Sequence, residues 1–210
     1  MNNSQNESES IMIMITQQSE IRIMLSGHGS TTISWGDGSH ETIVFGQDGG
    51  SKDFWGYYMT SHWHTYTDNK PSHTINITGG IIPDLECSNS GLTDLYVSKN
   101  KNLKLLSCHT NQLKELDLSN NTRLWDLSCA HNQLTELNVS NNIELSDINC
   151  RNNLLTNTAL NNLFKGLHSN DVSGRYPYDE DERTIIIDNN IGTENCDRTI
   201  AHKKGWRVCD

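Results

Sequence analysis

The chain of 210 residues carries 26 acidic and 16 basic side chains, a formal net charge of -10, and 34% of its residues are hydrophobic. This acidity argues against a nucleic-acid backbone or an anionic membrane as the main partner. No apolar run reaches the length of a membrane span, and residues 1–10 lack the basic and apolar regions of a signal peptide. We interpret residues 1–10 as a disordered polar lead.

Residues 11–80, called the head below, alternate apolar and polar side chains between turns rich in Gly, Ser and Asp, as in IMIMIT, EIRIMLS and HTINITG. Such alternation is typical of strands with one buried face. We predict a small antiparallel β-sandwich. Its last strand runs without a flexible linker into residues 81–157, so the head can also act as the N-terminal cap of that region.

The segments ISWGDG and HTYT of the head resemble the polycystic-kidney-disease (PKD) type of immunoglobulin-like domain. This resemblance implies a spacer or adhesive domain on an exported protein. The long segment between the two parts of the motif leaves the strand order open. The matching residues are Trp35, Gly36, Asp37, Gly38, His64 and Tyr66.

The segment SHWHTY is the most enzyme-like feature of the chain. Alternation places His62, His64 and Tyr66 on one face of a strand, and two histidines could hold a metal ion. No HExxH motif and no carboxylate at ligand spacing completes the set. We therefore expect no metal and no cofactor, and keep a metal-dependent or otherwise cryptic enzyme in the head as an alternative function.

Residues 81–157, the repeats, show self-similarity with a period of 21 residues. Each period has two leucine-rich halves, and we predict one short strand in each half, stacked in parallel with the next period. Cysteines and asparagines recur at fixed positions. We predict that the cysteines are small buried apolar groups and that the asparagines satisfy buried backbone groups. These columns are Cys87, Cys108, Cys129 and Cys150; Asn111, Asn132 and Asn153; and Asn100, Asn121 and Asn142.

The alternation LxxLxCxxNxL and LxxLDLSxN resembles the short leucine-rich repeats of bacterial surface proteins. The resemblance implies an open solenoid of parallel strands that serves as a protein-binding surface on an extracellular or cell-surface protein. We expect non-enzymatic recognition or adhesion with a protein or glycan partner; a structural spacer without a ligand is a further alternative. The outward positions predicted to bind are Tyr96, Ser107, His109, Asp117, Trp125, Ser128, Asn149 and Arg151.

Residues 158–210 are predicted to close the solenoid as a C-terminal cap, because the period ends and NTALNNLFKGL has apolar residues at helical spacing. The last segment also resembles the closing segment of the same bacterial proteins. Spacing leaves open whether Cys196 and Cys209 form a disulfide or stay as buried thiols. The acidic run at residues 179–182 is a solvated face or, less simply, a calcium site.

Taken together, these patterns predict a mainly β protein with some α-structure. A small β-sandwich precedes a leucine-rich-repeat solenoid with an α/β cap at its C-terminus.

Overall fold

The structure is a computed structural model that describes residues 10–46, 58–170 and 182–210. The predicted polar lead, except Ser10, and residues 179–181 of the acidic run lie outside the described residues. The described strands are β1 Ser10–Thr16, β2 Glu20–Ser34, β3 His40–Val44, β4 Tyr58–Thr65, β5 His73–Glu86, β6 Leu92–Tyr96, β7 Leu105–Ser107, β8 Asp126–Ser128, β9 Asp147–Asn149, β10 Arg183–Ile186 and β11 Trp206–Cys209. The described helices are α1 Asn157–Gly166, a 3-10 turn Thr193–Asn195 and α2 Thr199–His202.

The two longest strands, β2 and β5, connect the head to the repeats. The first part of β2 pairs with β4 and its second part pairs with β3. The strand β5 begins beside β1 and ends beside β7, so it passes from the head directly into the repeats. Within the described residues, all strands are connected by hydrogen bonds in one sheet. The small antiparallel β-sandwich that the sequence indicates for residues 11–80 stays a prediction.

Glycines permit the bend at which β5 changes partners. Gly79 and Gly80 have φ angles of 74° and 68°, in the left-handed region that disfavours other residues. A Cβ atom on Gly79 would lie 2.8 Å from the carbonyl oxygen of Ser30. The register of β2 and β5 also shifts here, between His28 and Thr31. The strand can thus continue through a sharp change of direction without ending.

The repeats form a parallel ladder on one side of the coil. The strands β7, β8 and β9 are three residues each and pair in parallel with a constant shift of 21 residues. Their central residues, Leu106, Leu127 and Ile148, point into the core and are at most 2% exposed. One apolar core runs from the head through the repeats to the C-terminal residues.

The second halves of the repeats differ from the prediction. The prediction of a strand in each second half is wrong for residues 113–118 and 134–139, which have no strand. In the first period the second half is β6, which pairs antiparallel with β1 of the head. Extended backbone here is held by side chains and by single backbone hydrogen bonds, such as Gln133 N to the carbonyl oxygen of Leu113 at 2.8 Å.

Buried asparagines hold the turns of the coil. The Nδ2 atom of Asn132 donates to the carbonyl oxygens of Cys108 at 3.0 Å and Cys129 at 3.1 Å, and its Oδ1 atom accepts from the backbone N–H of Leu113 at 3.0 Å. Asn111 and Asn153 repeat the same pattern one period away. On the other side, Asn121 donates to the carbonyl oxygens of Val97 and Asn100. Each amide thereby ties two successive turns together.

The four repeat cysteines are fully buried free thiols between these asparagines. Burial raises the pKa of Cys87, Cys108, Cys129 and Cys150 above the usual thiol value, and the negative charge of Glu86 adds to the effect for Cys87 and Cys108. A thiol that stays protonated and apart from water is a poor nucleophile. Cys196 and Cys209 are half-buried and also free.

The C-terminal residues continue the ladder and the core of the repeats. Strand β10 continues the parallel ladder from β9, and β11 pairs with β10 in turn. The helix α1 is capped by Thr156, whose hydroxyl accepts from the backbone N–H of Ala159, and it buries Leu160, Leu163 and Phe164. Asn190 takes the place of the repeat asparagines, since its Nδ2 atom donates to the carbonyl oxygen of Cys150 at 3.0 Å.

Candidate binding surface

The outward side chains of β5, β7, β8 and β9, together with the column immediately after these strands, form what we call the strand face. Register places Asp84, Leu105, Asp126 and Asp147 in one outward row. A second row contains Glu86, Ser107, Ser128 and Asn149. Backbone hydrogen bonds continue the ladder past the strands and align Ser88, His109, Ala130 and Arg151 as a third row.

Carboxylates lie next to one another in the first row. Asp126 is in direct register with Asp147, and its pKa is raised to about 6, first by burial and then by the charges of Asp147 and Asp84. The Oδ2 atom of Asp84 accepts from the Ser26 hydroxyl at 2.6 Å. Asp147 accepts from the Ser146 hydroxyl at 2.8 Å. The centre of the strand face is therefore negative and partly dehydrated.

Five of the predicted binding residues lie on the strand face. Ser107, Ser128 and Asn149 are half-buried, His109 is half-buried, and Arg151 is exposed. The hydroxyl groups of Ser88 and Ser107 lie 3.0 Å apart, and Nδ1 of His109 lies 3.0 Å from the Thr110 hydroxyl. These contacts orient the side chains of Ser107 and His109 in the absence of a partner.

Tyr96 and Asp117 belong to a different surface. They line a groove of about 490 Å3 on the second halves of the repeats, together with Gln112 and Gln133. Tyr96 is 54% exposed. The carboxylate of Asp117 accepts from the backbone N–H of Ser119 at 3.0 Å, and hydrogen bonds from Ser119 lower its pKa. The structure thus separates these two predicted residues from the strand face.

Trp125 lies at the edge of the strand face and is half-buried. Its backbone N–H donates to the carbonyl oxygen of Lys104 at 2.8 Å, and its carbonyl oxygen accepts from the N–H of Ser146 at 2.8 Å. This is the register that the period of 21 residues predicts. The side chain of Trp125 is therefore not fully exposed.

Two groups of residues on the sheet are not among the binding residues predicted from the sequence. Asp126 and Asp147 precede Ser128 and Asn149 by two residues, so strand alternation alone puts them on the same face. Arg22 and Trp63 lie at the head end of the sheet and pair across β2 and β4. They could not be found from the repeats, because only the topology shows that β4 and β2 continue the same sheet.

The two histidines of the alternative metal site contact other side chains. Nε2 of His64 lies 2.8 Å from Asp37 Oδ2, and its ring stacks on Trp35 with centroids 4.8 Å apart. His62 contacts the Glu41 carboxylate at 2.9 Å and the Thr60 hydroxyl at 2.7 Å. Among residues 10–46, 58–170 and 182–210, no three potential ligands are grouped for a metal ion.

The PKD-like residues form a small cluster around Trp35, which is 3% exposed. The Tyr66 hydroxyl donates to the carbonyl oxygen of Trp35 at 2.8 Å. Asp37 accepts from the backbone N–H and hydroxyl of Ser39, which together with His64 depress the pKa of its carboxyl. Contacts among these side chains thus account for their occurrence together in the sequence. That the head belongs to the PKD type of domain stays a prediction.

The parallel ladder, the inward leucines and the buried asparagine column define a fold of the leucine-rich-repeat type. No protein-family model matches the chain, and no curated protein matches it. In the described part of the chain, none of the helices has the length and apolar character that crossing a membrane requires.

Solved structures that are similar to part of the chain include two internalins from Listeria monocytogenes. The functional domain of InlJ, described as including a cysteine ladder, is 28% identical, with a TM-score of 0.45 over 60% of this chain and 24% of that chain. The internalin InlF is 16% identical, with a TM-score of 0.44 over 63% of this chain and 37% of that chain. The chain thus spans about a quarter of the first structure and under two fifths of the second.

Proposed function

We propose that the chain is a non-enzymatic recognition module that binds a protein partner through the strand face. The observation that carries this proposal is the row of carboxylates centred on the half-buried Asp126, on a parallel ladder of strands. We further propose a cell-surface location, since the repeats resemble those of bacterial surface proteins, with the head, residues 11–80, as spacer and N-terminal cap.

Rigidity favours binding at this face. The asparagine amides bind successive turns on the inner side, so the outward rows keep a fixed spacing. A preorganised surface loses little conformational entropy when a partner docks. Most of the outward side chains are Asp, Ser, Asn or Ala, which lose little rotamer freedom on binding.

The negative charge of the first row of the strand face indicates the chemistry of the partner. Burial, and then repulsion from Asp147 and Asp84, raises the pKa of Asp126 and so disfavours its ionised form. A Lys or Arg side chain of a partner placed beside this row would relieve the repulsion and favour the ionised form. The strand face therefore suits a protein segment with exposed basic residues.

Site-specific crosslinking tests which face binds. A photoreactive amino acid at Arg151, on the strand face, is compared with the same amino acid at Arg123, which is exposed outside the strand face. On cells or secreted proteins of the natural environment, we expect one protein to crosslink from position 151 and not from position 123. Equal crosslinking from both positions, or crosslinking from 123 alone, would contradict the proposal.

The captured protein is then purified and its affinity measured against matched variants. We expect Asp126→Asn to weaken binding about tenfold, the typical loss for a charged contact at the centre of an interface. Asp117→Asn makes the same chemical change on the other surface and should leave affinity unchanged. If Asp117→Asn weakens binding instead, the groove at Tyr96 is the binding surface.

A further inference from the structure

A groove of about 730 Å3 lies where the head meets the first repeat. Its walls come from β2 and β4 on the head side and from the residues around Ser88 and His109 on the repeat side. Neither part forms the groove alone, because residues of both parts line it. The groove overlaps the strand face at Glu86, Ser88 and His109 and does not include Asp126.

Trp63 supplies the apolar surface of this groove. Its side chain is 63% exposed, whereas Trp35 and Trp206 are at most 3% exposed. The guanidinium carbon of Arg22 lies 5.2 Å from the centroid of the indole, and Nε of Arg22 donates to the Ser61 hydroxyl at 3.1 Å. The guanidinium therefore supports the ring from one side and leaves much of the indole surface open to a ligand.

The rest of the groove is polar and of mixed charge. Glu20 and Glu86 provide carboxylates, Arg22 provides one cation, and Gln17, Gln18 and Asn89 provide amides. The Glu86 carboxylate is oriented by the backbone N–H of Ser88 at 2.9 Å. Donors and acceptors of several kinds thus surround one aromatic ring, with more negative than positive charge.

We propose that this groove binds a neutral oligosaccharide, with one pyranose ring stacked on the indole of Trp63. A pyranose has an apolar C–H face that fits an aromatic ring and a rim of hydroxyl groups that both donate and accept hydrogen bonds. A protein anchor would call for apolar neighbours around the tryptophan, and the polar lining offers few. The excess of carboxylates disfavours acidic sugars.

Binding of defined sugars by calorimetry and on a glycan array tests this inference. The neutral probes are the hexamers of β-1,4-glucose, β-1,4-N-acetylglucosamine, α-1,4-glucose and β-1,4-mannose, together with neutral galactose-terminated glycans. The acidic probes are hexagalacturonic acid and sialylated glycans. We expect the protein to bind at least one neutral probe and to bind the acidic probes more weakly.

Variants at Trp63 then assign the binding to the groove. Trp63→Ala should weaken the affinity about tenfold or more, as for loss of a central aromatic anchor, whereas Trp63→Tyr keeps a stacking ring and should retain most of it. Tyr96→Ala, which removes the exposed aromatic of the other groove, is the matched control and should have no effect. All three side chain changes are at exposed sites, and thermal unfolding checks that the fold is kept.

Three results would overturn the inference. They are the absence of binding to every neutral probe, preferential binding of the acidic probes, or neutral-sugar binding that Trp63→Ala leaves unchanged. Loss of the crosslinked protein partner on Trp63→Ala, without any sugar binding, would assign the groove to protein recognition instead.

Discussion

Asp126 shows how the fold sets the chemistry of a single residue on the strand face. Burial and the neighbouring carboxylates raise its pKa to about 6, compared with about 3.9 in an unfolded chain. Between these two pH values the folded protein binds more protons than the unfolded chain, so stability falls as pH rises through this window. Above about pH 6 Asp126 is ionised in both the folded and the unfolded state, and its destabilising effect on the folded state reaches its full size.

We predict that Asp126→Asn stabilises the protein at pH 7 by about 1–2 kcal/mol, a value reduced from the full shift because the site is partly solvated. Near pH 4 the gain should be close to zero, because the wild-type carboxyl is largely protonated in the folded state. Denaturant unfolding at both pH values measures this. Asp117→Asn should instead lower stability at pH 7, since Ser119 lowers the pKa of Asp117; a gain from that variant would contradict the argument.

Thr110 occupies a strained backbone position. Its φ angle is 58°, and the equivalent residues in other turns, Asn89, His131 and Asn152, share this left-handed conformation. A β-branched residue is disfavoured there, whereas asparagine tolerates it. We predict that Thr110→Asn raises the free energy of unfolding by about 0.5–1 kcal/mol.

Thr122→Asn is the control for Thr110→Asn, because Thr122 is also exposed but has no positive φ angle. Chemical denaturation of the two variants should show a gain for position 110 only. Equal effects at both positions would assign the gain to asparagine itself and not to relief of backbone strain.

The sequence predicts most accurately which side chains of the repeats are buried. The period of 21 residues predicts which leucines, cysteines and asparagines point inward, because identical turns must place equivalent residues in equivalent environments. The roles of the outward positions are harder to predict, since no feature of a repeat indicates which exposed side chains act together. Asp126 is not among the predicted binding residues, although alternation places it beside Ser128 on the same face.

At the level of elements, each turn of the coil depends on one buried amide. Asn132 satisfies the carbonyl oxygens of Cys108 and Cys129 and the N–H of Leu113, all of which are shielded from water. We predict that Asn132→Ala lowers the free energy of unfolding by about 2–4 kcal/mol, since several buried polar groups lose their partners at once.

The matched control for this prediction is Asn141→Ala. Asn141 is exposed and donates to the carbonyl oxygen of Ser119 at 2.9 Å. Urea unfolding should show a loss well under about 1 kcal/mol for this variant, because water replaces an exposed hydrogen bond. A similar loss in both variants would show that the buried column does not have the special role assigned to it.

The periodicity predicts regular strands for both halves of each repeat, and only the first halves have them in the second and third periods. Apolar alternation specifies which side chains face the core, and the second halves obey it: Leu113 and Leu118 are at most 1% exposed. It does not specify backbone pairing with the next turn. Sequence periodicity therefore predicts burial in these segments more accurately than strand content.

At the level of the whole molecule, the head and the repeats share one sheet and one core. The sequence indicated a direct connection, because no linker separates HTINITG from the first repeat. The order of the strands could not be predicted, since pairings between β2, β4 and β5 join residues far apart in the chain and depend on where β5 bends. The groove at Trp63 results from this topology alone.

Both proposed surfaces depend on this continuity, and native-state hydrogen exchange of Ile23→Ala tests it most directly. Ile23 is fully buried in β2 of the head, and its truncation should cost about 2–5 kcal/mol. The reporter in the repeats is the backbone amide of Cys129, which donates to the carbonyl oxygen of Asn149. If the sheet is one cooperative unit, the protection of this amide against exchange should fall by the same free energy as the protection of the β2 amides. Loss of protection in β2 with unchanged protection at Cys129 would show two independent units and contradict the account.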